Sequence, residues 1–160
     1  LVLIYINNLD HLHKTDIIFM AQFTEEQLNK IWEKGLKDDK YNPDFVRKDA
    51  CGAWMIRGRY NDRSSSFGWE VDHIYPESKL KDMNVPQQKI DNIYNLRPLN
   101  WHNNESKGAD YPHYQAKRKA GVITDETGQK NDVNVICEDE KEINDEIQSQ
   151  IKELFKDYRL

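Results

Sequence analysis

The chain has 160 residues, of which 38% are hydrophobic and 32% charged, and its formal net charge at pH 7 is −5. That length supports one real core rather than two, in a single small soluble domain, and no run is long enough to span a bilayer, so no membrane partner is expected. Cys51 and Cys137 lie too far apart to form a zinc knuckle or a disulfide framework, which makes a reducing, cytoplasmic setting the default.

The negative charge at first argues against nucleic acid, but its distribution softens that. Residues 138–160 hold eight acidic and four basic side chains. Residues 45–63 instead carry Arg47, Lys48, Arg57, Arg59 and Arg63 against Asp49 and Asp62, a local excess able to meet phosphates or simply to be solvated.

Along the chain, residues 1–19 are apolar and lack a clear period, a cationic start and a small-residue cleavage site, so they read as a non-native or poorly conserved leader. Met20 then reads as the biological first residue, with an added strand packed on the core as the alternative. Thr24 to Gln27 form a capping box, Leu28, Ile31 and Trp32 supply an apolar helical face, and Gly35 is a stop. After a loop around Pro43, "CGAWMIRGRY" and "FGWEVDHIYP" are rich in aromatic and β-branched residues. With "NDRSSS" as turn material between them, they predict a hairpin. Residues 77–94 read as irregular and polar, with Pro86 breaking any helix. "NLRPLN" predicts a short strand, and Asn100 caps a helix running through "WHNNESK" to Gly108. Residues 109–135 read as loop with one short helix near 113–119. From about 139 to 158, Ile143, Ile147, Ile151, Leu154 and Tyr158 recur at helical spacing.

Within "GWEVDHIYP", Asp72 and His73 interrupt an apolar run, and buried charge is costly unless paired or bound. Asn95 follows His73 by twenty-two positions, Asn104 comes nine after that, and Lys107 three further on. Strand, long loop, short strand and helix, with Asp-His at the front and Asn on the helix, suit phosphodiester hydrolysis by a metal and a base. An imidazole can take the proton of the attacking water, and a divalent ion can meet charge building on the phosphate.

The stretch "GWEVDHIYPES…DNIYNLRPLNWHNNESKGAD", residues 68–110, resembles the HNH endonucleases, with weaker similarity back to Asp49. The resemblance implies an α+β fold with a ββα-metal core (about 49–110), flanked by N- and C-terminal helices, in one domain spanning 20–160. It implies His73 as general base, Asn95 as the residue that orients the His and fixes the loop, and Asp72 and Asn104 as metal ligands. Lys107 matches a commonly basic position, and together with Arg57, Arg59 and Arg63 it is a candidate nucleic-acid contact.

Many relatives bind a structural zinc through two Cys pairs. Here the downstream positions are Asn100 and Asn103, so no structural zinc is expected. Two oxygen ligands suit Mg²⁺ or Mn²⁺. His102 lies two residues before Asn104 and points elsewhere on a helix; His102 and His113 read as surface or hydrogen-bonded histidines. Trp69 and Trp101 read as core or buttress, and Glu77 and Asp91 as solvated acids, with reach to the ion as their alternative. The expected substrate is double-stranded DNA, cut one strand at a time, with the C-terminal apolar face either packing internally or pairing subunits in a homodimer. The rival readings are a catalytically silent nucleic-acid-binding module and an RNA-directed nuclease.

Overall fold

The computed structural model describes residues 22–160, so the leader and the assignment of Met20 lie outside the described residues. A unit boundary falls after Lys30, and everything that positions the candidate site belongs to the compact unit Ile31–Leu160. The described residues form a mixed α+β structure with three small antiparallel sheets of two strands each.

Helix α1, Glu25–Trp32, begins at the predicted capping box: Thr24 N donates to Gln27 Oε1 at 2.8 Å and Gln27 N to Thr24 Oγ1 at 3.2 Å. Beyond its end, Arg47 is buried and its guanidinium donates to the carbonyls of Glu33, Gly35 and Pro43.

Strands β1 (Val46–Lys48) and β2 (Trp54–Ile56) pair with each other, and a 3₁₀ turn follows at Arg57–Arg59. This corrects the predicted hairpin between 51–60 and 67–76. Turn material at 61–66 was read correctly, but it does not close a two-strand ladder. Instead Asp62 gathers Ser64 and Arg59, and Gly68 passes so close to the Asp62 carbonyl that an added Cβ would lie 1.9 Å from it. Any side chain there would displace the backbone.

Strand β3 (Trp69–His73) pairs antiparallel with β4 (Leu96–Asn100), His73 opposite Leu96 and Asp72 opposite Arg97. The connection is not irregular. It holds α2 (Glu77–Asp82) and α3 (Gln87–Ile90), and a 3₁₀ turn at Ile93–Asn95. Pro86 does not break a helix but stands at the N-cap of α3, where its missing N–H costs nothing. As predicted, Asn100 caps the next helix, α4 (Trp101–Lys107), by accepting from His102 N, and Gly108 ends it with φ of +50°.

Residues 109–135 depart most from expectation. Strands β5 (His113–Thr124) and β6 (Lys130–Glu142) form a long hairpin, closed by a turn in which Asp125 accepts from Thr127 and Gln129. The predicted C-terminal helix is therefore shorter: β6 takes residues up to Glu142, and α5 runs Asp145–Leu154 behind an Asn144 cap. Its Ile151 is buried with Ile143, Phe155, Tyr75, Leu80, Ile90, Leu99 and Tyr114 in one core, against which Ile147, Leu154 and Tyr158 also pack. The apolar face of this helix thus packs on the chain's own core.

One buried carboxylate ties these pieces together. Asp49 Oδ1 accepts from the N–H groups of Cys51 (2.9 Å) and Ala53 (2.8 Å), and Oδ2 accepts from Asn100 N (3.0 Å) and Asn103 Nδ2 (2.9 Å). Burial pushes this carboxyl's pKa up and the four donors pull it back, burial being the stronger. Asn103 Oδ1 in turn accepts from Lys117 N and Arg118 N at the β-bulge of β5, and its Nδ2 donates to the Arg118 carbonyl. Removing Asp49 strands four donors at once, so Asp49→Ala is expected to cost about 3–5 kcal/mol of unfolding free energy, read from urea denaturation. A loss under about 0.5 kcal/mol, the size of an ordinary surface change, contradicts this account.

Cys51 sits beside that carboxylate with its thiol 3.7 Å from the Tyr114 hydroxyl, and burial pushes its pKa up to about 12. The unfolded thiol, with its ordinary value near 9.0, releases its proton first. Between those values the unfolded state binds fewer protons, so stability falls as pH rises. Wild type should lose more stability than Cys51→Ala between pH 9 and 11 in paired thermal melts, and Cys51 should resist thiol reagents until the chain unfolds.

Candidate active site

Asp72 and His73 are neighbours on β3, and the period of a strand sends their side chains to opposite faces. Asp72 is buried. Its Oδ2 accepts from Arg97 Nε at 2.8 Å, across the ladder, and its Oδ1 lies 3.0 Å from Lys107 Nζ on α4. The Lys107 side chain is 0% exposed and its ammonium also donates to the His73 carbonyl at 3.0 Å. Burial pulls the Lys107 pKa down against the opposing pull of Asp72. This is a correction to the sequence reading: Lys107 is an internal counter-ion and strand anchor, placed where no phosphate can reach it.

The His73 side chain keeps 11% of its surface, and its Nε2 lies 2.7 Å from Asp91 Oδ1. Asp91 Oδ2 accepts from Gln87 Nε2 at 2.9 Å, and the same amide nitrogen donates to Glu77 Oε1 at 3.0 Å. Glu77 also holds Lys81 at 2.8 Å. Burial works to raise the Glu77 pKa, but Lys81, Gln87 and the nearby imidazole hold it below the usual carboxylate range. Helices α2 and α3 thus present a chain of acids and amides to the imidazole.

Asn95 is fully buried and touches backbone rather than the ring. Its Oδ1 accepts from Tyr75 N at 2.8 Å, and its Nδ2 donates to the carbonyls of Tyr75 (3.2 Å) and Ile90 (3.0 Å). It therefore fixes the loop, as expected, but its effect on His73 passes through the backbone.

On α4, Asn104 Nδ2 donates to Glu70 Oε2 at 2.7 Å, and Glu70 is held by Arg63 at 2.6 Å. Arg63, whose side chain is 53% exposed, reaches Glu105 as well, and Arg59 pairs with Asp62. Arg57 lies over the Trp69 ring, 5.5 Å from its centre. Among the four predicted nucleic-acid contacts, Arg59 and Arg63 carry half-exposed side chains engaged in surface ion pairs. His102 stacks on Trp101, with burial lowering its pKa, and His113 lies near Glu142 on the surface. Neither turns toward the predicted ligands by any hydrogen bond among the described residues.

The hydrogen bonds therefore sort the predicted residues into separate groups: Asp72 with Lys107, His73 with Asp91, Asn95 with backbone, and Asn104 with Glu70. Both Asp72 oxygens are taken by cations, and Arg97 Nη2 is left buried without a partner. Two cations to one anion make a positive surplus at this point. As arranged, Asp72 and Asn104 do not fit a divalent ion. Asp91, a solvated acid in the sequence reading, is the residue that meets His73. It lies four residues after Gln87 and four before Asn95, and only the fold brings it to the imidazole.

No family model, curated protein or solved structure matches the chain.

Removing Lys107 leaves Asp72 paired with Arg97 but strips the donor from a buried carboxylate oxygen and from the His73 carbonyl. Lys107→Met is expected to destabilise the protein by about 2–4 kcal/mol in urea unfolding, more than Arg59→Met, which removes a surface pair worth roughly 0–1 kcal/mol. Equal effects from the two substitutions would show that the Lys107 contacts carry no special weight.

Proposed function

We propose that the chain is an HNH-type endonuclease that hydrolyses DNA phosphodiester bonds with Mg²⁺ or Mn²⁺. The observation that carries this reading is the order β3, β4, α4: an antiparallel pair feeding a capped helix, with His73 at the end of the first strand and Asn95 pinning the return. That order is compatible with the ββα arrangement implied by the resemblance of residues 68–110, and so supports this reading. An imidazole held by a carboxylate and still partly open to solvent is equipped to serve as a general base.

In the proposed step, His73 takes a proton from water while the water oxygen bonds to phosphorus. The bond from phosphorus to the 3′-oxygen breaks, and that oxygen collects a proton from solvent. The products are a 5′-phosphate and a 3′-hydroxyl. One such site nicks one strand. Arg59 and Arg63 are the exposed cations best placed to exchange their carboxylate partners for phosphates. The resemblance assigns the ion to Asp72 and Asn104. Arg97 and Lys107 occupy both Asp72 oxygens, which speaks against that assignment and favours a second reading, a nucleic-acid-binding module without turnover.

Supercoiled-plasmid relaxation with Mg²⁺, Mn²⁺ or EDTA, run beside His73→Ala, separates these readings. The nuclease reading expects metal-dependent nicking that drops by about 10²–10⁴-fold in the variant. Retention of DNA with no cutting by either protein supports the silent module instead. Cleavage of RNA with plasmid left intact overturns the DNA assignment. An unchanged Mg²⁺ titration in Asn104→Ala removes Asn104 as a ligand.

A further inference from the structure

The imidazole of His73 has two nitrogens, and the structure commits one of them. Nε2 lies 2.7 Å from Asp91 Oδ1, and a carboxylate so placed accepts a hydrogen bond. The other Asp91 oxygen is held by Gln87 Nε2, whose remaining hydrogen serves Glu77 Oε1. Asp91 is thus fixed at both oxygens and cannot turn away from the ring without losing Gln87. Its backbone is fixed as well, because Asn95 Nδ2 grips the carbonyl of Ile90, the residue just before it. The same Asn95 side chain bonds both backbone groups of Tyr75, two residues after His73. One buried amide therefore sets the separation between the strand end that carries the imidazole and the helix end that carries the carboxylate.

We propose that Asp91 is the positioning residue of His73: it holds the ring as the Nε2–H tautomer, leaving the Nδ1 lone pair to take the proton from water. This rests on the nuclease reading for its functional half and on the Nε2 contact for its structural half. Asn95 acts one step removed, by placing Asp91. The resemblance gives the orienting role to Asn95 alone, and the geometry points to a division of that role between the two. A carboxylate partner fixes the tautomer and orientation of a working imidazole by the hydrogen bond it accepts.

The test uses the full chain with ¹⁵N-labelled histidine and the variants Asp91→Asn, Asp91→Ala and Asp91→Glu. In wild type, the imidazole spectrum should show His73 as the Nε2–H tautomer. In Asp91→Ala that preference should be lost, and kcat for plasmid nicking should fall by about 10–100-fold, with KM for DNA unchanged. Asp91→Asn should fall by a similar factor while melting close to wild type, since it keeps the shape and the Gln87 contact. Asp91→Glu should recover part of the rate. A wild-type His73 carrying its proton on Nδ1 overturns the proposal, as does an Asp91→Ala protein with wild-type tautomer and wild-type kcat. If wild type cuts no better than His73→Ala, the nuclease reading fails, and the imidazole spectrum alone decides whether Asp91 fixes the tautomer.

Discussion

The fold is organised by a carboxylate that never reaches solvent. Asp49 receives two N–H groups from the turn after β1, one from the start of α4, and one from the side chain of Asn103, which itself closes the bulge of β5. Three separate sheets of two strands would be marginal alone, since a lone pair of strands buries too little to stand by itself. Joined at Asp49 they share one set of constraints. Asn100, the cap of α4, and Asn103 within that helix both meet this acid, so hydrogen bonds close the knot.

Local chemistry was legible wherever a side chain bonds its own neighbourhood. The Thr24 capping box, the Asn100 cap, the Gly108 stop and the strand through "NLRPLN" depend on residues within a few positions, and each is found where the sequence puts it. The β5–β6 hairpin was not legible, because Lys117, Arg118, Lys119 and the acids of β6 make it look like a solvated loop. Its strands are held by cross-strand ion pairs such as Lys117 with Glu138 and Lys119 with Asp139, and by Asn134 bonding both backbone groups of Trp54. These partners are 20 to 80 positions apart. The same holds for the strand pairing of 51–60. Composition marked it as extended, but its partner was β1 upstream and not the next apolar run.

The candidate site divides the same way. Spacing singles out Asp72, His73, Asn95 and Asn104 as candidates, yet what each touches is not legible in it. Arg97 falls opposite Asp72 only because β3 and β4 take the register that pairs His73 with Leu96. Lys107 turns inward because α4 lies across that strand, and a lysine three residues from an asparagine on a helix looks the same in sequence whether it faces water or a buried acid. Asp91 looked like a solvated acid since nothing near it in sequence announces an imidazole.

The cluster of Asp72, Arg97 and Lys107 carries a mechanical implication. Lys107 grips both the acid and the carbonyl of His73, so the edge of β3 cannot hinge outward without exposing unbalanced charge to an apolar interior. Local rearrangement then falls to the outlying turn at 57–66, while the strand end that carries the imidazole stays put. A frame anchored in this way yields at its periphery before it yields at β3.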